Sequence, residues 1–167
     1  MTFKLKENVS ENSKYIPSCA SGEVIRLEMI KDNIFSSKIL GEGYGVVPSE
    51  KEITAPFKCS VRDITNGGQS LTLRCENGLQ ILIHIGIDLP EKNFSAENNR
   101  LYKLSVSTGD VLSAGDILGE IDFESALEQG FDPTVVLIIT NSDEIKDFTV
   151  LLGKKSCGDN AAKYFLK

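Results

Sequence analysis

The amino-acid sequence predicts an all-β protein, an antiparallel sandwich or barrel of short strands with one or two short helical turns. Three observations point there. The apolar runs are short and rich in β-branched residues. Clusters of glycine, asparagine and aspartate separate them at close intervals. Helical periodicity is thin. Many short strands with turn chemistry between them mark closed or two-sheet β architectures.

Along the chain, residues 1–18 form a polar segment expected to be loosely ordered. Residues 19–167 then make one domain, and a chain of 167 residues suits a single core. Strands are expected at 23–27 and 45–47, on either side of Gly41-Glu42-Gly43. Runs 70–75 and 79–87 flank Glu76-Asn77-Gly78 and read as a hairpin, preceded by the turn Asn66-Gly67-Gly68. Gly109-Asp110 and Gly115-Asp116 mark turns before a strand at 117–123. The run 134–140 is a further strand. Residues 34–40, and 125–129 ended by Gly130, could each make a turn or two of helix.

Composition narrows the function classes. Charged residues are 25% and hydrophobic residues 41%, ordinary values for a globular domain. The net charge of −6 argues against a nucleic-acid partner, which a basic face would serve. No apolar run reaches membrane-spanning length, and residues 1–10 lack the apolar core of a signal peptide, so a cytoplasmic location is expected. Cys19, Cys59, Cys75 and Cys157 are widely spaced with no CxxC pair, which reads as reduced, partly buried thiols rather than a metal site.

The chain has one histidine, His84, inside the run Leu79-Gln80-Ile81-Leu82-Ile83-His84-Ile85-Gly86-Ile87-Asp88. A period of two puts Ile81, Ile83, Ile85 and Ile87 on a core face. Leu82, His84, Gly86 and Asp88 then share the other face. Gly86 leaves room beside the ring for a ligand or a phosphoryl group. Asp88 lies about 7 Å further along by strand rise. Imidazole is a nucleophile near neutral pH because its free base is populated there. From these residues alone a half-buried structural histidine is the commoner outcome, since one short motif is weak.

The order of several motifs adds to this reading. His84-Ile85-Gly86-Ile87-Asp88 resembles the active-site segment of the glucose-family enzyme IIA domains of the bacterial sugar phosphotransferase system. Matching stretches occur in the same order at Ser21-Gly22-Glu23-Val24, Leu40-Gly41-Glu42-Gly43-Tyr44-Gly45-Val46, Ile53-Thr54-Ala55-Pro56, Gly109-Asp110-Val111-Leu112-Ser113-Ala114-Gly115-Asp116 and Asp132-Pro133-Thr134-Val135-Val136. The fold this resemblance implies is an antiparallel β-sandwich, the family's duplicated hybrid motif. It implies that His84 is the phosphorylated histidine, with Asp88 beside it and the Gly86 carbonyl holding the ring. It also implies an exposed apolar docking patch of Ile34, Phe35 and Leu82, with Asp32 at its edge. The implied activity is that of a phosphocarrier. It would take phosphate from the histidine-containing phosphocarrier protein and pass it to the IIB/IIC subunits of a sugar transporter, with no cofactor.

The sequence departs from that family at telling places. The family's second histidine, fifteen residues upstream, is Gln69 here. Its threonine two positions earlier is Gly67, a glycine after the proline turn is Cys59, and the stretch from Pro90 through Asn98-Asn99-Arg100 differs. Glutamine keeps an amide donor but supplies no positive charge. With a lone histidine, no zinc site of paired histidines is available. Counting about the hairpin midpoint between Glu76 and Asn77 puts Gln69 opposite His84, within reach of a phosphate on the ring. The alternative reading is a regulatory or decayed binding module that cannot pass phosphate on efficiently.

Overall fold

The structure, a computed structural model, describes residues 12–89 and 101–167. The divergent stretch 90–100 and residues 1–11 of the expected polar segment lie outside the described residues. Thirteen strands are described. β1 (Ser13–Pro17), β13 (Asn160–Leu166) and β11 (Ile145–Val150) form a three-stranded sheet in the order β1-β13-β11. The larger sheet runs β12 (Gly153–Lys155), β2 (Ala20–Arg26), β3 (Glu42–Thr54), β10 (Asp132–Ile139), β6 (Gln80–Ile87), β5 (Ser70–Cys75), β4 (Cys59–Thr65) and β8 (Val111–Leu112). β9 (Ile117–Ile121) pairs with β3, and β7 (Tyr102–Leu104) pairs with β9. All pairings among the described residues are antiparallel. The expected fold class therefore holds.

Among the described residues, helix is confined to short pieces. Asn33–Ser36 is capped by Asp32, whose side chain accepts from the Ile34 N–H, and Phe123–Glu128 is capped by Asp122 in the same manner. The first helix stops well before the expected residue 40, since Lys38 already has φ 61°.

One correction concerns the start of the chain. Ser13–Pro17 is a strand rather than a loose segment, and Ile16 is fully buried. The Tyr44 hydroxyl accepts from the Cys19 N–H at 3.0 Å and donates to the Pro17 carbonyl at 2.9 Å, tying this segment to β3. The Ser107, Ser113 and Ser156 turns share one design. In each, the aspartate three residues on accepts from the serine N–H at 2.8 Å, with a positive-φ glycine between.

Two apolar clusters flank the sheet at β6 and β10. The large one fills the interior and takes Ile81, Ile83 and Ile85 together with Val135, Leu137 and Ile139. The small one covers the opposite face with Leu27, Ile30, Phe35, Ile87, Val136 and Ile138. β10 is buried on both faces over residues 133–139, as a continuous apolar run requires. Ile87 departs from the expected core face. Opposite Gly86, β10 inserts an extra residue: Ile85 pairs with Val135, but Ile87 pairs with Asp132. Gly86 has φ +76°, which turns the strand, and Ile87 crosses to the small cluster.

Candidate functional site

His84 sits mid-strand on β6, between Ser70 of β5 and Val136 of β10. The ring is half-buried. Its Nδ1 lies 2.5 Å from the Ser70 hydroxyl oxygen. The Phe35 ring packs against it, centroids 5.1 Å apart and tilted by 47°. Burial lowers the His84 pKa from its usual value, and the negative charges of Asp32 and Asp88 act against that shift. The free-base imidazole is thus the favoured form at neutral pH.

The hairpin register differs by one residue from the expected one. Residues 76–78 form a three-residue turn, in which the Cys75 N–H donates to the Leu79 carbonyl and the Gly78 N–H to the Cys75 carbonyl. Ser70, not Gln69, is therefore directly opposite His84. The Gln69 carbonyl accepts from the Ile85 N–H at 2.8 Å, and its side-chain Nε2 donates to the Gly86 carbonyl at 3.5 Å. The Gly86 carbonyl thus receives Gln69, while the ring nitrogen engages Ser70. The expected space at Gly86 is also filled: a Cβ there would lie 2.3 Å from Leu89 Cδ1.

The remaining expected residues divide by exposure. Asp88 is exposed, with φ 53°, and its charge acts on the ring. Asp32 caps the short helix that carries Ile34 and Phe35. Ile34 is 56% exposed. Leu82 is half-buried against the small cluster. Phe35 is only 6% exposed, so it is a wall of the histidine site rather than part of an exposed patch. A large aromatic side chain beside a helix cap is more often buried than displayed. Ser70 was missed by sequence reasoning. Counting residues outward from a three-residue turn, rather than a symmetric one, would have found it. Among the described residues, no group of three or more His, Cys, Asp or Glu side chains could hold a metal ion.

A neutral imidazole with one nitrogen held by the fold and an acidic rim can act as a nucleophile or an acid–base group. Comparison with known proteins narrows this. The family model of the phosphoenolpyruvate-dependent sugar phosphotransferase system, EIIA 1, matches residues 14–145, and the chain belongs to that family. It is 32% identical over 149 residues to the PTS system glucose-specific EIIA component of Staphylococcus epidermidis, covering 89% of this chain and 86% of that protein. It is 33% identical over 129 residues to the PTS system glucose-specific EIICBA component of Streptococcus pneumoniae; the match covers 77% of this chain and only 17% of the longer protein. The glucose permease IIA from Mycoplasma capricolum shares the fold, with a TM-score of 0.75 at 23% identity over 90% of this chain and 95% of that one. The chain is thus a phosphotransferase-system component of the IIA class. Among the described residues no helix is long and apolar enough to cross a membrane.

Proposed function

We propose that this chain is a phosphocarrier that accepts a phosphoryl group on Nε2 of His84 and donates it to a sugar transporter. The donor is the histidine-containing phosphocarrier protein, the acceptor is a IIB subunit, and the exchange takes place in the cytoplasm. The observation that carries this reading is the state of His84: a half-buried ring with Nδ1 at Ser70 and a pKa lowered by burial. The Nε2 lone pair forms the new N–P bond as the donor's N–P bond breaks. The ring proton stays on Nδ1, and the donor imidazole leaves with its electron pair. Such transfers depend on positioning and electrostatics more than on covalent help from the protein.

Gln69 gives this site an amide where the family resemblance implies a second ring. It offers hydrogen bonds without charge. Acceptance needs the nucleophile and the docking patch but no second ring, so it proceeds with Gln69 in place.

The experiment is to incubate the chain with labelled phosphoenolpyruvate, enzyme I and the phosphocarrier protein. Wild type should acquire an acid-labile, base-stable phosphate, and His84→Ala should acquire none. A subsequent chase with the IIB subunit should remove the label. Absence of label on wild type, or label on His84→Ala, overturns the phosphohistidine reading. Label that enters but never leaves makes the chain a docking module instead.

A further inference from the structure

We propose that Ser70 is the positioning residue of this site, its hydroxyl holding the Nδ1 edge of His84 so that Nε2 offers its lone pair to phosphorus. The proposal rests on the reading of His84 as the phosphoryl acceptor. It begins with register. Hydrogen bonds from the Ile85 N–H to the Gln69 carbonyl and from the Cys75 N–H to the Leu79 carbonyl fix which opposed pairs of β5 and β6 share backbone bonds. Ser70 and His84 fall between them, at a non-hydrogen-bonded pair, where facing side chains approach most closely. A short hydroxyl side chain at 70 reaches the ring nitrogen at 2.5 Å. A long one there would push the ring away.

Among the described residues, the Ser70 hydroxyl is the hydrogen-bond partner of Nδ1. The Gly86 carbonyl accepts instead from Gln69 Nε2, at 3.5 Å. Phe35 packs on the ring and limits its rotation. Ser70 itself is 5% exposed, so water does not readily replace the hydroxyl.

The chemistry gives the bond its direction. With Nδ1–H donating to the Ser70 oxygen, Nε2 is unprotonated and nucleophilic. When Nε2 bonds phosphorus the ring gains positive charge. The Nδ1–H then becomes a stronger donor, and the bond to Ser70 becomes charge-assisted. Ser70 therefore stabilises the transfer state more than the free ring, which is the condition for accelerating a step. The opposite arrangement, with the serine hydroxyl donating to Nδ1, would put the proton on Nε2 and block attack.

Nitrogen-15 NMR of the lone histidine, combined with phosphate uptake, tests this. Wild type should show a pyrrole-type Nδ1 and a pyridine-type Nε2. Ser70→Ala should give a mixture of tautomers and about tenfold slower uptake, the size expected for one hydrogen bond to a charged group. Ser70→Thr should restore both the tautomer and the rate. Wild-type His84 protonated on Nε2 overturns the proposal. So does a folded Ser70→Ala chain with the wild-type tautomer and rate. If wild type takes up no label at all, the acceptor reading has failed, and Ser70 has no transfer step to position.

Discussion

At the scale of single residues, the site is governed by a contest over the charge of His84. Burial lowers its pKa, while Asp32 and Asp88 pull it back up. As the chain has no other histidine, one NMR titration reports it cleanly. The midpoint should fall below the ordinary histidine value of about 6.5. Asp32→Asn and Asp88→Asn should each move it lower still, because each removes a charge that favours the imidazolium. Asn at position 32 keeps the helix cap, so the first variant alters charge with little change in structure. Phosphate uptake should weaken as pH falls through the midpoint, where the nucleophile becomes protonated. The linkage to folding has a definite sign. Between the lowered pKa and about 6.5 the unfolded chain binds more protons than the folded one, so stability rises with pH across that window. The contribution is complete above the window and lost as pH falls through it. A midpoint above that of a free histidine peptide would contradict burial as the dominant cause.

At the scale of elements, the alternation of β6 was legible as far as Ile85 and no further. Ile81, Ile83 and Ile85 reach the interior as a period of two requires. Ile87 does not, because the insertion opposite Gly86 belongs to β10, and a strand's own sequence does not reveal its partner's bulge. The hairpin was legible too, but its register depended on whether two or three residues formed the turn. That one-residue difference exchanged Gln69 for Ser70 at the ring. β1 escaped because its support is non-local: Tyr44 and β13 hold it, and within Ser13–Pro17 only Ile16 is buried. Gly86 is where local geometry is least tolerant. Gly86→Ala should cost about 1–3 kcal/mol from backbone strain at positive φ, with displacement of Leu89 adding to it. The shift of the urea midpoint measures this. A midpoint equal to wild type would mean that the turn at Gly86 relaxes without strain.

At the scale of the whole molecule, the histidine lies over the small cluster rather than the large one. That cluster closes the outer face of β6 and β10 with Leu27, Ile30 and Phe35, delivered by the 3₁₀ turn Leu27–Met29, the link after it and the helix Asn33–Ser36. The same turns display Met29 at 69% and Ile34 at 56% exposure. One short segment thus has two faces, one supporting His84 and one open for a partner to touch. The two roles separate by mutation. Phe35→Ala removes a buried ring and should cost on the order of 3 kcal/mol, seen in the urea midpoint. It should also free the His84 ring, seen as a changed NMR signal. Ile34→Asp alters an exposed residue in the first turn of a helix, where negative charge is tolerated, so stability should stay within about 0.5 kcal/mol of wild type. If partners dock on this face, Ile34→Asp should nonetheless slow phosphate uptake, because an apolar contact becomes a charge that must be desolvated. The rate should recover when the phosphocarrier concentration is raised, since the chemistry at His84 is untouched. Unchanged uptake in Ile34→Asp at limiting phosphocarrier would move the docking surface away from this segment, while leaving Phe35 as the wall of the histidine site.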